Sequence, residues 1–101
     1  MTVSRSCIGM KRAQHRLLAR GVVAATGRMM RQALAGSWHE VGVTLAARRE
    51  LFETLQTLAT HPDEQSTVQA LRAALRESDR AFSQAATRRR IRRAGAQAHA
   101  P

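Results

Sequence analysis

The segment Asp63–Arg93 contains neither glycine nor proline, and this constrains the fold more than any other feature of the sequence. Its apolar residues recur at alternating intervals of three and four, which is the spacing of one helix face and of a coiled-coil seam. Asp63 and Glu64 favour a helix start, because they satisfy free amides and complement the helix dipole. The sequence therefore predicts one long helix here, and its apolar stripe consists of Val68, Leu71, Leu75, Ser78, Phe82 and Ala85.

Two further helices are predicted before this segment. The first covers Lys11–Ala35 and the second Trp38–Ala59, because apolar residues recur in both at helical spacing. Aromatic residues make up only 3% of the chain, which disfavours a β-sheet and supports an all-α fold. The predicted stripes are Leu18, Val22, Ala25, Met29 and Ala33, with Leu17, Met30 and Leu34 beside them, and then Val41, Leu45, Phe52, Leu55 and Ala59, with Leu51 and Leu58 beside them.

The boundary between the first two helices carries the clearest turn signal. Gly36 suits the position after a helix C-terminus. Ser37 and Glu40 match the S-x-x-E capping box, in which the hydroxyl accepts from a free backbone N–H and the carboxylate reaches back to the cap residue. Trp38 then lies in the first turn of the second helix, where we expect it to have a structural role in fixing the turn.

The connections between the predicted helices are short, and His61–Pro62 ends the second helix. Short connections imply antiparallel neighbours, so we predict three antiparallel helices, an up-down-up hairpin or bundle, as one domain over residues 11–93. Residues 1–10 are predicted to be a flexible N-terminus and residues 94–101 a disordered tail, because Gly95 ends the third helix. The apolar faces are wide for so few helices. Either all of them form the core, or one is left partly exposed for a partner.

The charge of the chain is concentrated at its two ends. The net charge is +10, from 17 Lys and Arg against 7 Asp and Glu. Residues 1–35 contain no acid, and residues 36–87 contain all of the acids. Basic ends of this kind can attract nucleic acid, anionic lipid or an acidic protein surface, or they can simply be solvated. The C-terminal group that could contact anions is Arg88, Arg89, Arg90, Arg92 and Arg93.

No residue pattern predicts catalysis, a cofactor or a metal site. His15, His39, His61 and His99 form no i, i+4 pair, so each is interpreted as a surface or capping residue. The single Cys7 cannot form an internal disulfide, which favours a reducing compartment. No apolar run approaches the roughly 18 residues that a bilayer span needs. We therefore expect a non-enzymatic protein of a reducing compartment, without a membrane span.

The short motifs between residues 17 and 93 include Ala33, Gly36, Trp38, Arg48, Leu51 and Leu55. This set of motifs resembles the FliT family of flagellar export chaperones. That family typically has an A-x-x-G-x-W turn followed by a helix bearing R-x-x-L-x-x-x-L. Leu71–Arg80 is similar to the third helix of the family, with Asp79 at the acidic position and Phe82 at the next apolar one. The acid-free first helix, and the absence of a fourth helix after Arg93, depart from the family pattern. The positions that match the turn and the second helix are Ala33, Gly36, Trp38, Arg48, Leu51 and Leu55.

The resemblance implies a cytoplasmic chaperone that binds the C-terminal helix of the flagellar filament-cap protein and keeps it soluble for type III export. It further implies contacts with components of the export apparatus and, in some members, with a transcriptional regulator. A helix-in-groove site on helices 2 and 3 would serve this purpose. The alternative is a basic helical protein that binds nucleic acid through Arg88–Arg93. A monomer and a homodimer both fit the sequence. The expected groove residues are Leu45, Phe52, Leu55, Leu71, Leu75 and Phe82.

Overall fold

The computed structural model describes the backbone of residues 3–98 and the side chains of residues 11–96. Over this range the chain forms three helices: α1 (Val3–Leu34), α2 (Trp38–Leu58) and α3 (Pro62–Ala98). The predicted all-α fold is confirmed. Contacts divide the chain into two units, Met1–Ala70 and Leu71–Pro101, with the division inside α3.

The outer ends of α1 and α3 differ from the prediction. α1 begins at Val3 rather than at Lys11, so residues 3–10 are helical. α3 continues to Ala98 rather than ending at Arg93, and Gly95 lies inside it. One glycine costs a helix only about 1 kcal/mol relative to alanine, and here alanines flank it, so it does not end the helix. The remaining residues of the two predicted terminal segments, 1–2 and 99–101, lie outside the described range.

α1 and α2 are antiparallel and form the centre of the first unit. Three contacts show the direction: Gly21 lies near Leu51, Thr26 bonds to Arg48, and Gln32 bonds to Thr44. As the residue number rises along α1, the number of the contacted residue on α2 falls. The first turns of α3 belong to the same unit. The buried apolar residues of this unit come from all three helices and are Val22, Ala25, Met29, Val41, Leu55 and Val68.

The turn between α1 and α2 is a Schellman motif. Gly36 has a φ of +78°, a left-handed conformation that glycine adopts without a Cβ clash. The Gly36 N–H donates to the Ala33 carbonyl at 3.0 Å, and the Ser37 N–H donates to the Gln32 carbonyl at 2.8 Å. These are the two hydrogen bonds that define the motif, and they satisfy carbonyls at the end of α1. The predicted role of Gly36 is therefore confirmed.

The capping box predicted at the start of α2 is wrong in its chemistry. Ser37 is the N-cap residue, as expected, but its side chain makes no capping hydrogen bond. The backbone N–H of Ser37 already donates to the Gln32 carbonyl. The exposed Glu40 therefore has no free N–H to accept from at the cap residue. Trp38 is half-buried in the first turn of α2, which is the position that the sequence predicted.

α3 begins with a proline at its first helical position. Pro62 has no N–H to leave unsatisfied there, which is why proline favours this position. Glu64 reaches back, and its Oε1 accepts a hydrogen bond from the His61 backbone N–H at 3.2 Å. This is the carboxylate half of a capping box. A capping carboxylate is therefore found at the connection between α2 and α3, and not at the connection between α1 and α2 where the sequence predicted it.

In the described part of the chain, the second unit consists of the remainder of α3, from Leu71 onward. None of its side chains within residues 71–96 is buried. The half-buried ones recur at intervals of three and four, so they define a single stripe along the helix. Ala85 was predicted to lie on this stripe but is exposed, and Ala86 takes its place. The members of the stripe are Leu71, Leu75, Ser78, Phe82, Ala86 and Arg89.

Candidate functional site

α1 has two faces of opposite character within its described part. Val22 is 0% exposed and Met29 is 1% exposed, and both lie in the core of the first unit. The next residue in each case points away from the core, since Val23 is 60% exposed and Met30 is 55% exposed. One residue turns a helix by about 100°, which is enough to move a side chain from the core to solvent. Large apolar side chains are therefore left on the outside of this helix.

The outer face of α1 is basic and apolar at the same time. Leu17 and Leu34 are also exposed on it, the latter by 84%. Exposed arginines lie among these apolar residues, and α1 contains no Asp or Glu at all. The charge of this face therefore favours contact with apolar or anionic groups over contact with cationic ones. We define the outer face of α1 as Arg12, Arg16, Leu17, Arg20, Val23, Ala24, Arg28, Met30, Arg31 and Leu34.

The apolar residues of the outer face lie in two separate lines. Val23, Met30 and Leu34 are 7 and 4 residues apart, so they lie within about 40° of arc around the helix. Leu17 and Ala24 form a second line, rotated by roughly 100° from the first. Between the two lines lie Arg20 and Arg31, which are 11 residues apart and share one direction. The charges are thus in the middle of the face rather than at its margins.

Arg31 lies along the surface of α1 rather than extending away from it. A Cβ placed on Gly27 would stand 3.7 Å from the Arg31 Nη1, so the guanidinium covers the glycine one turn earlier. A Cβ at Gly27 would make only an ordinary van der Waals contact with this guanidinium. A guanidinium that lies close to the helix surface can meet a carboxylate while its aliphatic stem contacts apolar groups.

Four polar side chains join α1 to α2, and two of them are buried. Arg48 is 3% exposed, and its Nη1 donates to the Thr26 hydroxyl at 3.1 Å. The Thr26 hydroxyl in turn donates to the Val22 carbonyl at 3.1 Å. Thr44 is buried nearby on α2, and its hydroxyl donates to Gln32 Oε1 at 2.9 Å. These bonds fix the register of the two helices, because buried polar groups require their partners.

A partly open cleft of about 170 Å³ lies where the start of α3 meets α1 in the first unit. His15 is buried beside it, and its Nδ1 is 3.9 Å from Glu64 Oε2. The His15 Nε2 is buried without a hydrogen-bond partner. The interpretation of His15 as a surface or capping residue is therefore wrong, whereas His61 does precede α3 at its cap. The cleft contains both signs of charge and is lined by Arg12, His15, Arg16, His61, Asp63 and Glu64.

The six residues predicted to form a groove are divided between the two units. Leu45, Phe52 and Leu55 belong to the first unit, and the other three, Leu71, Leu75 and Phe82, belong to the second. Leu55 is fully buried and thus serves as a core residue here. The others are half-buried. The large apolar residues that are most exposed lie elsewhere, chiefly on the outer face of α1.

The arginine run lies in the last part of α3 and belongs to the second unit. Arg88, Arg90, Arg92 and Arg93 are exposed, and Arg89 is half-buried. Because consecutive residues point about 100° apart, the five arginines spread over an arc of roughly 200° and form a broad basic side of the helix instead of a narrow stripe. Ile91, among them, is exposed as well.

Two classes of site are not found in the described part of the chain. Residues 11–96 contain no group of three or more His, Cys, Asp or Glu side chains that could hold a metal ion. Among residues 3–98, no helix has both the length and the apolarity that a membrane crossing requires.

Comparisons with models of known protein families, with curated proteins and with solved structures find no match for this chain. The functional interpretation therefore depends on the chain's own residues and on the short motifs noted above.

Proposed function

We propose that this protein is a non-enzymatic chaperone of the flagellar export type, which binds the C-terminal amphipathic helix of the filament-cap protein in the cytoplasm. The short motifs around Gly36, Trp38 and Arg48 resemble those of such chaperones. In this proposal the bound helix stays soluble until export. Contacts with the export apparatus, and with a transcriptional regulator, belong to the same proposal.

One observation carries this proposal. The first unit already buries an apolar core from three helices, yet Leu17, Val23, Met30 and Leu34 stay more than half exposed on α1. Exposed apolar side chains that share one surface mark interaction sites on soluble proteins. An amphipathic helix can lie against such a surface with its own apolar face inward, which removes both from water.

The position of the site differs from the groove that the resemblance implied. Leu55 is a core residue, and the helix 2 and helix 3 positions belong to separate units. We therefore place the binding surface on the outer face of α1. The acid-free α1 is also one of the two departures of the sequence from the family pattern.

Calorimetric titration with the C-terminal segment of the filament-cap protein from the same organism tests the proposal. We expect saturable binding, and we expect the chaperone to suppress light scattering by the aggregating segment. The double variant Met30→Asp with Leu34→Asp should weaken binding at least about tenfold, because it places charges where apolar contact is needed. Val43→Asp is the control, since Val43 is also more than half exposed but lies on α2.

Either of two outcomes would reject the proposal. If the wild-type chain does not bind the segment, the flagellar assignment is wrong. If the α1 double variant and the Val43 control bind as tightly as wild type, the outer face of α1 is not the binding surface. Circular dichroism of each variant confirms that the helices are intact before binding is compared.

A further inference from the structure

We infer that the outer face of α1 selects a partner helix that carries carboxylates among its apolar residues, so that charge as well as apolarity determines what docks there. This inference rests on the proposed function, because it specifies the chemistry of the helix that the same surface binds. It gives a role to the arginines of the outer face, because apolar docking alone does not explain why they lie there.

The first step is that the arginines of the face are free to pair. Within the described residues, Arg20, Arg28 and Arg31 are exposed and make no ion pair. At the other end of the face, Arg12 and Arg16 share a cleft with Asp63 and Glu64. The basic character that a partner meets is therefore strongest from Arg20 onward, along the same stretch that carries the exposed apolar residues.

The second step is the position of the charges. Arg20 and Arg31 lie between the apolar line of Val23 and Met30 and the line that begins at Leu17. A helix that covers both apolar lines must also cover these two guanidinium groups. Burying a charge without a partner is strongly unfavourable, whereas a carboxylate opposite it restores a charge-assisted hydrogen bond. An uncharged apolar helix is thus a poor occupant, and an acidic amphipathic helix fits.

The same arrangement disfavours an anionic membrane as the occupant. A helix that lies in a bilayer interface has a continuous apolar side and carries its basic residues on the polar side. Here the arginines divide the apolar residues, so insertion would carry charge into the acyl region. The aromatic residues of the chain, Trp38, Phe52 and Phe82, all lie outside α1.

Duplex nucleic acid also fits the face less well than a protein helix does. Phosphate binding uses Lys and Arg and gains nothing from exposed leucine and methionine. Arginine and methionine are instead enriched at protein interfaces, where aliphatic stems and guanidinium groups contact a partner together. Met30 and Arg31 are adjacent examples of the two types.

Three synthetic amphipathic peptides, each labelled with fluorescein, test the inference by fluorescence anisotropy with the full-length chain. The first has a leucine face with glutamates among the leucines, the second has lysines in place of the glutamates, and the third keeps the glutamates but has serines in place of the leucines. We expect the first to bind at least about tenfold more tightly than either of the others, and to weaken as NaCl is raised.

A charge-neutralised variant locates the interaction. Arg20→Gln with Arg31→Gln should weaken binding of the acidic leucine peptide about tenfold. The matched control is Arg49→Gln with Arg80→Gln, which removes two exposed charges from α2 and α3 and should leave binding unchanged. Because both variants have the same net charge, a difference between them cannot come from overall attraction.

Several results would overturn the inference. These are equal binding of the acidic and basic leucine peptides, absence of binding by all three, or equal loss in the two charge variants. Stronger binding to phosphatidylglycerol vesicles or to duplex DNA than to the acidic leucine peptide would also overturn it, in favour of a membrane or nucleic-acid surface. If the filament-cap segment binds but is insensitive to Arg20 and Arg31, only this inference fails. If the peptide binds and the cap segment does not, only the flagellar assignment fails.

Discussion

Within α1, two pairs of neighbours show how little residue type decides about burial. Val22 and Val23 are chemically identical, as are Met29 and Met30, yet the first of each pair is buried and the second exposed. The inner side of α1 contributes to the core of the first unit. The outer side contributes little to folding and remains available for recognition. The difference therefore separates the contribution to stability from the proposed binding on a single helix, and substitutions on the two sides should have separable effects.

Truncation of the two methionines should give the largest contrast. We expect Met29→Ala to destabilise the fold by about 2–5 kcal/mol, because it removes buried contacts and leaves a cavity. Met30→Ala should change the free energy of unfolding by less than about 0.5 kcal/mol, because this side chain is mostly in water already. Urea denaturation followed by far-UV circular dichroism measures both. Equal losses would show that the two sides of α1 are not distinct.

The polar contact between α1 and α2 should give an intermediate effect. Thr26→Val keeps the shape of the side chain but removes the acceptor of Arg48 Nη1, so we expect a loss of about 1–3 kcal/mol. Thr54→Val is the control, since its exposed hydroxyl bonds only to the Glu50 carbonyl of its own helix. Its effect should stay within about 0.5 kcal/mol. Comparable melting temperatures for the two variants would mean that the Arg48 contact contributes nothing to stability.

Two glycines of α1 should give the smallest contrast. Gly27→Ala should stabilise the protein by roughly 0.5–1 kcal/mol, because a Cβ there makes only an ordinary contact with Arg31 and the helix gains propensity. Gly21→Ala should gain less, because its Cβ would stand 3.3 Å from Leu51 Cδ1. Thermal melts of the two variants side by side measure the difference. A larger gain at Gly21 would show that α1 and α2 are less closely packed there.

The sequence predicted the helices well and the polar parts of the core poorly. Val22, Ala25 and Met29 were predicted as the stripe of α1 and are buried. His15 continues that stripe two turns earlier, seven residues before Val22. Because histidine is polar, the apolar pattern does not include it. Arg48 was missed for the same reason, although it lies seven residues after Val41 and seven before Leu55 on the buried face of α2.

The hydrogen bonds at the Ser37 cap and the exposure of the apolar faces could not be predicted from the sequence. Ser37 and Glu40 have the residue types of a capping box, but the backbone N–H of Ser37 already bonds to Gln32. Which of two competing hydrogen bonds forms depends on the geometry of the turn, which the residue types do not specify. Likewise, the sequence left open whether the wide apolar faces are core or surface. Burial identifies Leu55 as core and Leu34 as surface.

The Schellman turn at Gly36 also bears on the order in which the chain folds. It lets α2 reverse direction directly after α1, so their pairing needs only a very short loop to close. Contacts between segments that are near in sequence form fast, and domains usually assemble in order of synthesis. We expect the α1–α2 hairpin to form before α3 has left the ribosome. Val68 then completes the hydrophobic interior once the first turns of α3 emerge.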